Sequence, residues 1–199
     1  MLQCTGEGHD SFIECSVANM SLEWSGMTKQ ELEKCIDVYG RDIYSFCRYV
    51  TGSMQEGEEL YQDACLKVVE LLDTIDSAGN VKAFWLSVAI RIWKNKRRKY
   101  AWRKRIAEFQ TAEKEAGEDC LRDQRPSAEE QMLEEEQNRM IRKAVDTLPD
   151  KLKTVVLLYY MEDFSLAEIA ETAGIPEGTV KSRLHQARRI LKKKLEVLA

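Results

Sequence analysis

The sequence predicts an all-α protein: two small helical domains joined by an acidic linker. Three observations lead there. Apolar residues recur in steps of three and four over most of the chain, and no stretch shows the alternation of a half-buried strand. Only 10 glycines and 3 prolines occur in 199 residues, so few turns interrupt long helices. Residues 107–136 carry eleven acids against three bases and few large apolar side chains, the composition of a solvated segment between two that fold. The expected organisation is an N-terminal extension at 1–27, disordered by its lack of periodicity, then a domain at 28–106, the linker at 107–136 and a second domain at 137–199.

Within the extension, Met20 and Met27 stand just ahead of the first periodic segment, and either is an expected alternative start. Cys4, His9 and Cys15 lack a standard zinc spacing and a fourth ligand, so no metal is expected there. The first helix is marked by Leu32, Cys35, Ile36, Tyr39, Ile43, Phe46, Cys47 and Val50, and it stops at Gly52-Ser53. Leu60, Ala64, Cys65, Val68, Leu71 and Leu72 mark the second, with acids in its first turn to suit the helix dipole. Residues 76–80 read as a polar loop. A third helix starts near Val81. Val81, Trp85, Val88, Ala89 and Ile92 form its stripe, and Leu86, Ile90 and Trp93 widen that stripe to a surface packed on several sides. After the linker, Met140–Leu148 and Leu152–Tyr159 mark two further helices.

The formal net charge is −4 and the pI about 5.5. An even spread of that charge would disfavour nucleic acid, whose affinity comes mostly from Lys and Arg. The charge is segregated instead. Cations crowd 91–105, interleaved with Tyr100 and Trp102, and again 181–194. No apolar run approaches the length of a membrane span, so no membrane insertion is expected. Six scattered cysteines without a C-x-x-C pair, and no signal-peptide pattern, imply a reducing cytoplasm. Neither a nucleophile–base set nor a phosphate loop is visible, and His9 and His185 are the only histidines. Catalysis and a cofactor are not expected.

The C-terminal segment carries the sharpest pattern. Ser165-Leu166-Ala167-Glu168 is a capping box, Gly174 suits a left-handed turn, and Pro176 suits the start of another helix. Helix, glycine turn, helix is the pattern of a DNA-binding helix-turn-helix. On the second helix, Val180, Leu184, Ala187, Leu191 and Leu195 share one side. Gly178, Ser182, His185, Gln186 and Arg189 share the other, flanked by Lys181 and Arg188. One face is core; the other is small and polar, then basic, as a major-groove helix needs.

Leu148-Pro149-Asp150-Lys151, Ser165–Ala170 and Gly174–Leu184 together resemble region 4 of bacterial RNA polymerase sigma factors, in the extracytoplasmic-function (ECF) group. Glu58–Ala64 and Asn80–Ala89 resemble the polymerase-binding and promoter-melting parts of region 2 of that group. The resemblance spans residues 28–199. It implies an initiation factor with two promoter-reading surfaces, with core RNA polymerase, promoter DNA and an anti-sigma factor as partners. The −35 reader is expected at Gly178, Thr179, Lys181, Ser182, His185, Gln186 and Arg189. The −10 reader is expected at Asp76, Ser77, Asn80, Lys82, Arg91, Asn95, Lys96, Arg97 and Arg98. Leu60, Tyr61, Gln62, Asp63 and Lys67 are expected to dock on the polymerase, Leu60 serving also in the core. Gln186 stands where many relatives have a basic residue, and Ile90 where many have a polar one, so Ile90 is expected to be buried. Tyr100 and Trp102 either stack on single-stranded bases or pack on the domain. Two rival functions fit parts of the chain: a stand-alone repressor or activator built on 137–199, and an adaptor whose basic segment binds acidic proteins.

Overall fold

A computed structural model describes residues 26–76, 79–108 and 139–198. Cys4, His9, Cys15, Ser77, Cys120 and the linker between 109 and 138 lie outside the described residues. Among those described the chain is helical: α1 (Lys29–Thr51), α2 (Met54–Glu70), a 3-10 turn (Leu72–Thr74), α3 (Val81–Glu108), α4 (139–146), α5 (Asp150–Tyr160), α6 (Leu166–Ala173) and α7 (Glu177–Leu198).

Local chemistry sets the helix ends. Thr28 opens α1 with a full capping box: its hydroxyl accepts from Glu31 N–H, and the Glu31 carboxylate accepts from Thr28 N–H at 2.8 Å. That hydrogen-bonded carboxyl is held below its ordinary pKa, by the Thr28 backbone first and then by its hydroxyl. The Thr28-x-x-Glu31 signature was legible in the sequence. Gly52 closes α1 in the left-handed region at φ 75°, and Ser53 caps α2.

Ile43, Phe46, Cys47 and Val50 of α1, Leu60, Ala64 and Val68 of α2, and Trp85, Leu86, Ala89 and Ile90 of α3 make the buried core of the N-terminal unit. Ile36 departs from the expected stripe and is largely exposed, because it lies at the edge of the α1 face that α2 and α3 cover. Ile90 is buried. So is Cys47, whose thiol burial pushes up to about 12; Cys35 and Cys65 are partly buried. Glycine allows α1 and α2 to cross closely: a Cβ on Gly57 would stand 2.7 Å from Arg48 Cα.

The first unit begins before residue 28. Gly26 bridges to Asp76, Met27 N–H donates to Leu72 O at 3.0 Å, and the Met27 side chain is buried. A Cβ on Gly26 would lie 2.6 Å from Asp73 Cα. Two residues carry too little pattern for periodicity to register.

In the C-terminal unit, α5 packs against α6 and α7 around Leu152, Val155, Leu158, Ile169, Val180, Leu184 and Ala187. The two units do not stand apart. Helix α3 packs on α1 and α2 with one side and on α6 with another, and α5 lies against α1, so a single apolar core runs through both. The widened stripe of α3 serves this double contact.

Gly57→Ala should cost about 1–3 kcal/mol, because the obstacle is backbone that cannot step aside; urea denaturation of the variant checks it.

Candidate nucleic-acid interface

The helix-turn-helix is built by three local devices. Ser165 caps α6 while the Glu168 carboxylate accepts from Ser165 N–H at 2.9 Å, which holds that carboxyl below its ordinary pKa. Gly174 turns the chain at φ 63°. Thr179 N–H and Val180 N–H then donate to Pro176 O, so Pro176 caps α7 and Glu177 is its first helical residue. Against the framework of Val180, Leu184 and Ala187, the opposite side presents Gly178, Lys181, Ser182, His185, Gln186 and Arg189 exposed, with Thr179 half-buried. Ser182 Oγ donates to Thr179 O at 3.0 Å and Lys181 pairs with Glu177 at 2.9 Å. Both contacts lie on exposed surface and yield readily to a ligand.

Arg188 adds to this face. Its guanidinium lies over the Tyr159 and Tyr160 rings at 5.5 and 5.8 Å, and Nε donates to Tyr160 Oη at 2.9 Å. An exposed cation held by two rings is prepositioned for a phosphate. The sequence marks Arg188 only as a flank, since its aromatic partners come from another helix.

Gly178 has no duty inside the fold. A Cβ there would meet nothing within 4 Å, and its φ is not left-handed. A helical glycine without a packing reason costs stability.

On α3, Arg91, Asn95 and Arg98 follow at four and three positions, and Trp102 continues the row, all exposed. Trp102 and Tyr100 stand at 61% and 60% exposure, so neither packs on the domain. This row alternates cations with an amide and an indole, the mixture that follows a single strand. Lys82 is nine positions before Arg91, two and a half turns, and therefore on the opposite face. Lys82, expected in the −10 reader at the start of α3, thus lies on a different face from the Arg91 row. The Lys82 ammonium instead reaches Asp42 Oδ2 at 2.8 Å and Glu162 Oε2 at 2.7 Å, with the Tyr39 ring at 5.9 Å. Burial works against its charge, but the two carboxylates prevail and raise its pKa. Glu162 is fully buried, and burial outweighs Lys82 to push its carboxyl up.

The remaining residues fall into two groups. Asn80 caps α3, its Oδ1 accepting from Ala83 N–H at 2.9 Å, and its Nδ2 donates to Glu168 Oε1 at 3.5 Å. Arg97 stacks on Trp93 and reaches Asp150 Oδ2 at 2.7 Å. Lys96 turns the other way, to Asp63 at 2.8 Å on α2. Asp76 lies exposed beside the bridge to Gly26.

Of the expected docking residues, Leu60 has no exposed surface; its place is the core alone, because it falls on the inward row with Ala64 and Val68. Tyr61 is half-buried, edge-on to Tyr44 at 5.5 Å, while Gln62 is exposed. Lys67 pairs with Glu70. Leu66 and Val69, which the periodicity passes over, are exposed at 64% and 49%; Leu66 and Ile92 line a shallow groove with Asp63, Lys67 and Glu70. No group of His, Cys, Asp and Glu among the described residues could hold a metal, and no described helix is long and apolar enough to cross a membrane.

Gly178→Ala is expected to raise stability by about 0.5 kcal/mol yet weaken binding of a −35 duplex. Thermal unfolding and fluorescence anisotropy on the same sample check the split.

Residues 35–103 match the family model described as Sigma-70 region 2, and residues 138–191 the one described as Sigma-70, region 4. The chain is 29% identical over 169 residues to the ECF RNA polymerase sigma factor SigW of Bacillus subtilis, covering 82% of this chain and 88% of the relative. It is 26% identical over 168 residues to SigX of the same organism, covering 81% and 82%. Among solved structures, the sigma factor RpoE of Bartonella quintana, in complex with the anti-sigma factor NepR, superposes with a TM-score of 0.66 at 20% identity, covering 84% of this chain and 98% of that one. CnrH, in complex with the cytosolic domain of CnrY, gives 0.58 at 16% identity, covering 86% and 92%. At those identities the structures speak to the fold alone. Two matched regions in order, around two separated cationic faces, place the chain in the sigma-70 family of RNA polymerase sigma factors, in its ECF group, as a promoter-recognising transcription initiation factor.

Proposed function

We propose that this sigma factor reads a −35 element with the exposed face of α7 and a −10 element with the 76–80 loop and the Arg91, Asn95, Arg98 row of α3. The observation that carries this division is the pair of basic faces on separate units. Lys181, His185 and Gln186 offer hydrogen bonds to base edges, and Arg188 and Arg189 meet phosphates. Around the loop, Asn80 offers an amide to an extruded base, and Trp102 a stacking platform beyond it. Ser77 belongs to the same reading.

Core RNA polymerase docks on α2 in this scheme, through Tyr61, Gln62, Asp63 and Lys67 together with exposed Leu66 and Val69. An apolar pair rimmed by charges has the make-up of a protein interface centre. The protein acts without catalysis of its own, in the cytoplasm, and an anti-sigma factor is a further partner, as the solved relatives with NepR and CnrY support. The domain limits belong to the same proposal, with the first unit opening at Gly26. Tethering two weak DNA sites raises the effective concentration of the second once the first is bound.

Lys181→Ala with His185→Ala should lower −35-dependent initiation by purified polymerase about 10-fold or more, at about 1–3 kcal/mol per lost base contact, while co-purification with core polymerase persists. Leu66→Glu should do the reverse, cutting co-purification and leaving binding of a −35 duplex unchanged. Loss of polymerase binding in the first variant would contradict the division of labour.

A further inference from the structure

A row of cations flanks the exposed face of α7. Lys181, Arg188 and Lys192 follow at seven and four positions, so they line one side of the helix over about three turns, all exposed. They are not held alike. Lys181 lies 2.9 Å from Glu177 and Lys192 3.8 Å from Glu196, each one turn away on the same helix. A carboxylate competes with a phosphate for the same ammonium, so these pairs must open before DNA is gripped.

Arg188 is held from another helix and by neutral groups. Its guanidinium lies over the rings of Tyr159 and Tyr160 at the end of α5, which meet edge-on at 4.9 Å. Its Nε donates to Tyr160 Oη at 2.9 Å. Rings and a phenol fix the guanidinium without cancelling its charge. Both partners keep donors in hand. An arginine engaged through Nε still has its end-on Nη1–Nη2 pair for the two oxygens of one phosphate. A phenol that accepts a hydrogen bond still has its own O–H to donate. Tyr160 is 56% exposed, so its ring is not spent on the core.

We propose that Tyr160 is a phosphate-contacting residue of the duplex-reading face, closing with Arg188 a two-helix clamp on a single DNA phosphate. The clamp rests on the assignment of α7 to a −35 duplex. Arg188 supplies the charge through Nη1 and Nη2. Tyr160 supplies a neutral donor, and Tyr159 the second ring that fixes the guanidinium. The Nε–Oη bond survives binding, because it uses neither the Nη pair nor the phenol proton. Because the clamp joins α5 to α7, it locates the phosphate relative to the whole unit and not to one helix.

Fluorescence anisotropy of the full-length chain on a −35 duplex, over a range of salt, tests it. Arg188→Ala should weaken binding about 10-fold or more and lower the salt slope by about one. Tyr160→Phe keeps the ring and removes the donor. It should weaken binding about 3- to 5-fold and leave the salt slope unchanged, since a neutral donor releases no counterion. The double variant should lose less than the product of the two, because both groups serve one phosphate. A series of duplexes, each with one phosphate replaced by a neutral methylphosphonate, then locates that phosphate. At one shared position both variants should bind as well as the wild-type chain; a merely structural role would weaken binding to every duplex of the series. Unchanged affinity in Tyr160→Phe overturns the proposal, and so do losses that multiply fully or vanish at different phosphates. Lys181→Ala with His185→Ala separates the two readings. If that pair also leaves duplex affinity unchanged, the assignment of α7 falls; if it weakens binding and Tyr160→Phe does not, only the clamp falls.

Discussion

Helix α3 carries the structure because it is apolar on more sides than a surface helix needs. Trp85, Leu86, Val88, Ala89 and Ile90 are all buried, and at about 100° per residue these positions span about 200° of the helix circumference. One neighbour could not cover that surface. The N-terminal unit takes one side, and α6 takes the next. The charged positions of α3 are left with what remains, which sorts them by direction. Arg91, Asn95 and Arg98 point to solvent, Lys96 to α2, and Lys82, Lys94 and Arg97 to the C-terminal unit. The surface available to DNA is therefore a by-product of how the core is closed.

Much of this was legible in the residues. The helices, the capping box at Ser165, the left-handed Gly174 and the buried side of α7 all follow from local rules that need no partner. The exposed polar and basic face of α7 was legible for the same reason: one helix, one periodicity, one exposed side. The widened stripe of α3 announced a helix packed on several sides, though not which neighbour takes each side. What escaped was contact between elements distant in sequence. Lys82 in the first turn of α3 and Glu162 just past the end of α5 each look like ordinary surface residues, and only the meeting of the units makes them a pair. Leu66 and Val69 escaped differently, because periodicity finds what is buried and is silent about apolar residues left outside. Gly26 and Met27 lie beyond the first periodic segment, and a single close backbone approach leaves no repeat to detect.

The two surfaces proposed for DNA differ in what supports them. That of α7 rests on Val180, Leu184 and Ala187 and on the Tyr159–Arg188–Tyr160 stack, so its geometry is set before binding. That of α3 begins at Asn80, which caps the helix and reaches Glu168. A fixed helix suits duplex recognition, where donors and acceptors stand in known places. A row of exposed cations that ends on an exposed indole suits a strand that has left the duplex.

Glu162 shows what kind of fastening joins the units. Its carboxyl is disfavoured by burial more than Lys82 favours it, and the Lys94 ammonium is disfavoured by burial and by Arg183. Both groups are better solvated apart than together. Apolar contact draws the units in while burial works against these two charges, so the junction is held by its apolar part more than by its charges.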